Sequence, residues 1–166
     1  MKRFYVGFPI LALLANAALV HWGRGGFLHH VVAAGDILYV GAPLVCAALV
    51  LYIAARMLQR PRLIPPASVV LAVGLTFCSA IASLPPGRAV MANDIQEAKA
   101  YCADLVPQIE EYRMNSGEYP PELPPIVRAG EQPYLVRWMG ELFYSSSRGS
   151  YSFNFWNPGA LMGGFM

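Results

Sequence analysis

Three uncharged runs dominate the first half of the chain, and a helical period of three to four takes over after them. Phe4–Val20 holds 17 residues without a charge, Ile37–Ala55 holds 19, and Ala67–Leu84 holds 18. Each is close to the roughly 20 apolar residues that carry an α-helix across a bilayer. The second run is entered at Val31, so the expected span is Val31–Ala55 with Asp36 near its start. Gly41-Ala42-Pro43 should kink it, because proline removes a backbone donor. The third run is rich in Ala, Ser, Gly and Val, which lets helices approach closely. From Ala89 the pattern changes. Met91, Ile95, Ala98, Cys102, Leu105, Ile109 and Tyr112 alternate in steps of four and three, so they share one helical face. Asp94, Glu97, Lys99, Asp104, Glu110, Glu111 and Arg113 fall elsewhere and predict a wetted face.

The last third shortens its period again. Tyr151, Phe153 and Phe155 alternate with polar residues, as in a half-buried strand. Glu141–Tyr144 is the expected partner, Ser145–Ser150 the hairpin turn, and Tyr134–Trp138 a further strand. Pro85-Pro86-Gly87 should separate the third run from the amphipathic helix as a hinge, and Gly117 should end that helix as its C′ residue. Glu118–Pro133 contains five prolines and reads as a stiff, extended crossing. The predicted fold class is therefore a membrane α-helical protein with three transmembrane helices, plus a small α+β extracytoplasmic domain. In that domain a long amphipathic helix packs on a short antiparallel sheet. The boundaries are 1–84 for the membrane region and 85–166 for the periplasmic domain.

Charge adds orientation. Only 13% of residues are charged, about half the globular norm of roughly 25%, and mean hydropathy is +0.42. Residues 1–84 hold six basic side chains against Asp36 alone, while residues 85–166 hold six against nine acidic ones. Lys2-Arg3 and the Arg56, Arg60, Arg62 cluster belong on the cytoplasmic side by the positive-inside rule. The N-terminus is then cytoplasmic, in a bacterial inner membrane, and residues 85–166 face the periplasm. A basic membrane half and an acidic soluble half argue against a nucleic-acid partner. The first run is read as a retained helix. Its rivals are a signal peptide cut near Ala15-Asn16-Ala17 and a prepilin leader cut after Gly7. Cys46, Cys78 and Cys102 fit small hydrophobes better than redox or metal groups.

With these residues in place, the soluble part resembles the globular region of type IV pilins and type II secretion pseudopilins. The likeness is carried by Tyr112-Arg113-Met114-Asn115-Ser116-Gly117-Glu118-Tyr119-Pro120 and by the hairpin ending Tyr151-Ser152-Phe153, and it covers roughly residues 89–156. It implies a pilin-like fold. Two membrane runs precede the third here, which would obstruct packing into a filament core. The layout as a whole also looks like small polytopic inner-membrane proteins, some of which are immunity partners of secreted toxins.

Candidate chemistry is sparse. His21, His29, His30 and Asp36 cluster by sequence and suit a metal, but interfacial histidines are more often simply wetted. An ionisable residue within a span is a functional candidate by default, so Asp36 is marked. Asn16, in the first run, should hydrogen-bond to a neighbouring helix. Residues 85–166 contain no histidine, which excludes Ser/His or Cys/His catalysis within the soluble domain. Glu110-Glu111 point apart on a helix. The remaining candidate is a partner surface of Tyr134, Trp138, Phe143, Tyr144, Arg148 and Trp156, aromatics with an arginine as at binding hot spots. The expected function is non-enzymatic. The chain would be a membrane-anchored module that holds a protein partner, a toxin in the immunity reading, with no cofactor and no metal. The alternatives are a docking component of a pilus or secretion assembly, and a metal-binding protein or enzyme using the histidines.

Overall fold

A computed structural model describes residues 4–123, 132–147 and 149–156. The chain divides into two compact units, Met1–Ala89 and Val90–Met166. Among the described residues the first consists of helices and turns, and the second combines helix with a two-stranded sheet.

In the first unit α1 spans Phe4–Gly23, and a tight turn leads to α2 (Phe27–Gly35). A π-helical stretch, Asp36–Gly41, follows and runs directly into α3 (Ala42–Met57). The π register explains how Pro43 is accommodated without a break. The proline cannot donate to the turn before it, and the neighbouring Ala42 N–H already reaches back to the Ile37 carbonyl. Such local re-registration is one way a helix absorbs a proline. After Pro61–Leu63, α4 covers Ile64–Cys78, and a 3-10 turn, Ser79–Ser83, connects it to α5 (Leu84–Ser116).

Both Pro-Pro pairs open helices. Pro65-Pro66 lies in the first turn of α4 and Pro85-Pro86 in the first turn of α5. There the missing N–H groups would have had no helical partner anyway. This corrects the expected hinge at Pro85-Pro86-Gly87, because the irregular backbone is the 3-10 turn just before it.

The antiparallel pair α3 and α4 is joined by small residues. Gly41, Ala48 and Ala55 are buried on one side, and Ala67 and Gly74 on the other. Each set recurs every seven residues, which keeps it on one stripe. The approach is close enough that a Cβ on Gly74 would sit 2.9 Å from the Val45 nitrogen, and one on Gly41 2.7 Å from Cys78 Sγ. Large side chains point the other way. Leu49, Val50, Leu51 and Ile53 are exposed on α3, as are Leu11, Leu13 and Leu14 on α1. Two helical stretches, Phe27–Met57 and Pro61–Ser116, are long and apolar enough to cross a membrane, while Gly7–Gly23 is a shorter apolar helix.

The second unit is built on α5. Ala98, Leu105 and Ile109 are buried, Ile95 and Cys102 half-buried, and Tyr112 exposed, so the stripe stops one turn earlier than its spacing implied. Asp94 is buried as well, contrary to its expected place on the wetted face. The buried line runs through 94, 98, 105 and 109, rotated by about one position from the line through 95 and 102. Gly117 ends the helix at φ +81° with its N–H on the Arg113 carbonyl, as expected of a C′ glycine.

Residues 134–139 form a short helix, α6 (Tyr134–Met139), and not the expected strand. Leu135, Val136 and Met139 are buried at helical spacing, and Gly140 closes the helix at φ +52°. A 3-10 turn, Gly140–Phe143, takes the place of most of the expected partner strand. The hairpin pairs β1 (Tyr144–Ser147) with β2 (Ser150–Phe153), with Tyr144 opposite Phe153 and Ser147 opposite Ser150. Ser145–Ser147 therefore belong to a strand and not to the turn. One sheet face carries Tyr144, Tyr151 and Phe153 toward the core. The other carries Ser145, Ser147, Ser150 and Ser152, whose hydroxyls pair across the strands at 2.8 and 3.0 Å.

Candidate functional site

Three places in the fold gather polar or aromatic side chains that the helices alone do not require. The first centres on His29, which is buried. A backbone N–H can only donate, so the Gly25 N–H at 3.1 Å makes Nδ1 the acceptor. Nε2 then carries the hydrogen and donates to Ser83 Oγ at 2.8 Å, and the Ser83 hydroxyl donates to the Ala80 carbonyl at 2.6 Å. The ring is neutral, in one tautomer, with both nitrogens engaged. Glycines make room for it. A Cβ on Gly87 would lie 2.5 Å from His29 Cε1, and one on Gly23 2.7 Å from His29 Cβ. Gly25 has φ +71°, and a Cβ there would run into the Gly87 carbonyl.

A second polar link runs from α1. Asn16 Nδ2 donates to Ser79 Oγ at 3.0 Å, and Ser79 donates to the Thr76 carbonyl at 2.6 Å. Asn16 thus makes the interhelical bond expected of it. Ser79 and Ser83 do the same work at the two ends of the 3-10 turn. Each hydroxyl donates to a carbonyl three residues back and accepts from a side chain on another helix.

The four metal candidates are not assembled. His29 is committed as described, His30 Nδ1 donates to the Gly26 carbonyl at 2.9 Å, and His21 is exposed. Among the described residues no group of three or more His, Cys, Asp or Glu is placed to hold a metal. Asp36, half-buried, faces instead a groove of about 490 Å³ between α1, the π stretch and α4. Its walls include Phe8, Leu11, Leu19, Val73 and Phe77, with Asn16, Asp36 and Trp22 along the same lining.

The aromatic set of the second unit divides into core and surface. Phe143 and Tyr144 are buried, which corrects their place on the expected partner surface. Phe143 stacks on Phe153 at 5.3 Å, and the Tyr144 hydroxyl donates to the Pro120 carbonyl at 3.0 Å. Tyr134 is half-buried against the core. Trp138 is 66% exposed and lies 5.7 Å from half-buried Trp156, centroid to centroid. The helical turn that buries Leu135, Val136 and Met139 aims Arg137 and Trp138 outward. The Asn154 N–H on the Phe143 carbonyl ties the end of β2 to the preceding 3-10 turn. Leu142, 70% exposed, extends the list of outward apolar residues, and pattern reading missed it because it lay in an expected strand. Arg148 lies outside the described residues.

Behind this surface, Tyr119 is clasped at the end of α5. Its hydroxyl accepts from Arg113 Nη1 at 2.7 Å, and its ring meets Tyr151 edge-on at 4.9 Å. Burial pushes the Tyr151 phenol above its ordinary value, helped by Glu110 and Tyr119. Burial does the same at Tyr144, against an opposing hydrogen bond with Ser146. Both phenols stay protonated at physiological pH. No protein-family model, curated protein or solved structure matches the chain.

Proposed function

We propose that the chain is a membrane-anchored protein-binding module. Three helical crossings hold it in a bacterial inner membrane with the N-terminus in the cytoplasm. Residues 85–166 form a pilin-like domain displayed in the periplasm. The membrane part of this reading is supported by the inverted packing of the first unit, small residues inside and large apolar ones outside. Water penalises such a surface, whereas lipid tails accept it.

The observation that carries the binding part is the outward pair Trp138 and Trp156 beside Arg137. Trp and Arg are the residues that dominate interface energetics, and a half-buried Trp gives the exposed one a rigid backing. In its most specific form the module is an immunity protein that neutralises a toxin acting in the periplasm or on the inner membrane. The docking-component reading uses the same surface and differs only in the partner.

The test is extraction of the full chain in mild detergent with identification of stoichiometric partners, for the native chain and Trp138→Ala. The reading predicts one protein partner whose retention falls steeply in the variant. A hot-spot loss of about 2 kcal/mol is roughly thirtyfold in Kd. A secreted toxin supports immunity, and secretion or pilus subunits support docking. Absence of any partner, or one indifferent to Trp138→Ala, refutes the proposal.

A further inference from the structure

The groove beside Asp36 combines three features that no part of the binding surface needs. Its walls are apolar, it is lined along α1 from Phe8 to Trp22, and it contains the only acidic residue of the first 84. Among the described residues none hydrogen-bonds or ion-pairs with the Asp36 carboxylate.

Two helix counts place that carboxylate at the level of lipid headgroups. Arg56 to Asp36 is 20 residues, or about 30 Å of helix, the thickness of a bilayer's hydrocarbon core. With Arg56 at the cytoplasmic border, Asp36 falls at the opposite one. The described part of α1 before Trp22, from Phe4, is 18 residues or about 27 Å, which brings the Trp22 ring to the same border. Below them the groove follows α1 for 14 residues, about 21 Å, enough for one chain of a leaflet about 15 Å deep.

We propose that this groove binds a phospholipid with a primary ammonium headgroup, phosphatidylethanolamine in chemical terms, from the outer leaflet. The ammonium pairs with the Asp36 carboxylate and lies against the Trp22 ring, a cation–π contact. One acyl chain descends along Leu19, Leu11 and Phe8, where burial of CH₂ groups against side chains replaces contact with neighbouring lipids. An anionic headgroup is disfavoured, because Asp36 repels it and the basic residues of this unit lie mostly at the opposite border. Asn16 is already committed to Ser79 through its amide hydrogen, so headgroup selectivity rests on Asp36.

The inference rests on the membrane reading of the first unit and is independent of what the second unit binds. It is tested by reconstituting the full chain in nanodiscs of equimolar phosphatidylethanolamine and phosphatidylglycerol, then measuring retained lipid by native mass spectrometry. The native chain should retain one phosphatidylethanolamine in preference to phosphatidylglycerol by about fivefold, the scale of one partly exposed ion pair. Asp36→Asn, close to isosteric, should bring that ratio near one. Equal retention of both lipids by the native chain overturns the proposal, as does an unchanged preference in Asp36→Asn. A phosphatidylethanolamine carrying a photoreactive chain gives a second readout that needs no variant. Crosslinks should fall on 8–22 and 73–77, and crosslinks confined to other helices overturn the site. A chain that stays in solution without detergent would refute the membrane reading itself, an outcome distinct from membrane insertion without headgroup preference.

Discussion

The glycines around His29 allow a sharp test of how the first unit is held together. Gly35→Ala is the reference, since a Cβ there meets nothing within 4 Å. Replacing a helical glycine by alanine gains up to about 1 kcal/mol, so this variant should be neutral or stabilised. Gly87→Ala places a methyl 2.5 Å from His29 Cε1 and 2.8 Å from Nδ1. Overpacking of that kind costs about 1–3 kcal/mol. If the ring shifts, the Gly25 N–H or the Ser83 hydroxyl loses its partner, at about 1–3 kcal/mol more. Gly25→Ala adds the strain of an L-residue in the left-handed region, about 1–2 kcal/mol, to a collision with the Gly87 carbonyl. Both should therefore lie at least about 2 kcal/mol below Gly35→Ala. For a chain of this size that separates melting temperatures by about 5 °C or more. The assay is thermal unfolding of detergent-solubilised protein followed by far-UV circular dichroism. A second layer isolates the imidazole. In a His29→Ala background Gly87→Ala should lose most of its cost, because only the 3.2 Å approach to the Gly25 Cα remains. Gly25→Ala should stay costly there, since its obstacle is backbone. If Gly25→Ala and Gly87→Ala melt together with Gly35→Ala, the close-packed histidine node is not what joins these helices.

The link from α1 should be measurable in the same way. Asn16→Leu and Ser79→Ala should each destabilise by about 0.5–1.5 kcal/mol in denaturant titrations, and the double variant should cost less than their sum. Alkali should weaken the second unit. Burial raises the Tyr144 and Tyr151 phenols, so folding favours their neutral forms. That contribution is complete below the ordinary phenol value of about 10, and it is lost as pH rises through the folded-state values. Tyr151→Phe should reduce the steepness of this alkaline loss, followed by tyrosine absorbance and near-UV dichroism; an unchanged profile would contradict it. Trp138→Ala should leave melting within about 0.5 kcal/mol of native, because the ring is mostly exposed, while removing the stoichiometric partner. A large loss of stability would assign Trp138 to the core.

How far the pattern of residues foretold this structure depended on whether neighbours in the chain decided the outcome. The apolar runs, the helical stop at Gly117, the aromatic face of the hairpin and the hydrogen bond of Asn16 follow from local spacing or from the lack of any other partner. Tyr134–Trp138 has the pattern of a strand, because a short segment rich in Leu, Val and Trp suits either element. The burial of Leu135, Val136 and Met139 against α5 decides for helix. Pro85-Pro86-Gly87 has the composition of a hinge, yet proline in a first turn removes donors that have no helical partner. Asp94 and His29 depart from the pattern for one shared reason. Polar side chains are assigned to water by pattern, and nothing local reveals a buried position. For His29 the sequence does carry a signal, the glycines at 23 and 25 before it and at 87 far along the chain.

The central claim is that the first unit spans the membrane and presents the second outside the cytoplasm. Site-specific labelling tests it directly, in a chain whose three cysteines are replaced by alanine. Leu142→Cys reports the exposed surface of the second unit, and Gln59→Cys reports the connection between α3 and α4. A membrane-impermeant maleimide applied to intact spheroplasts should label Leu142→Cys and should reach Gln59→Cys only after lysis. Labelling of Gln59→Cys in intact spheroplasts, with Leu142→Cys protected until lysis, would contradict the account.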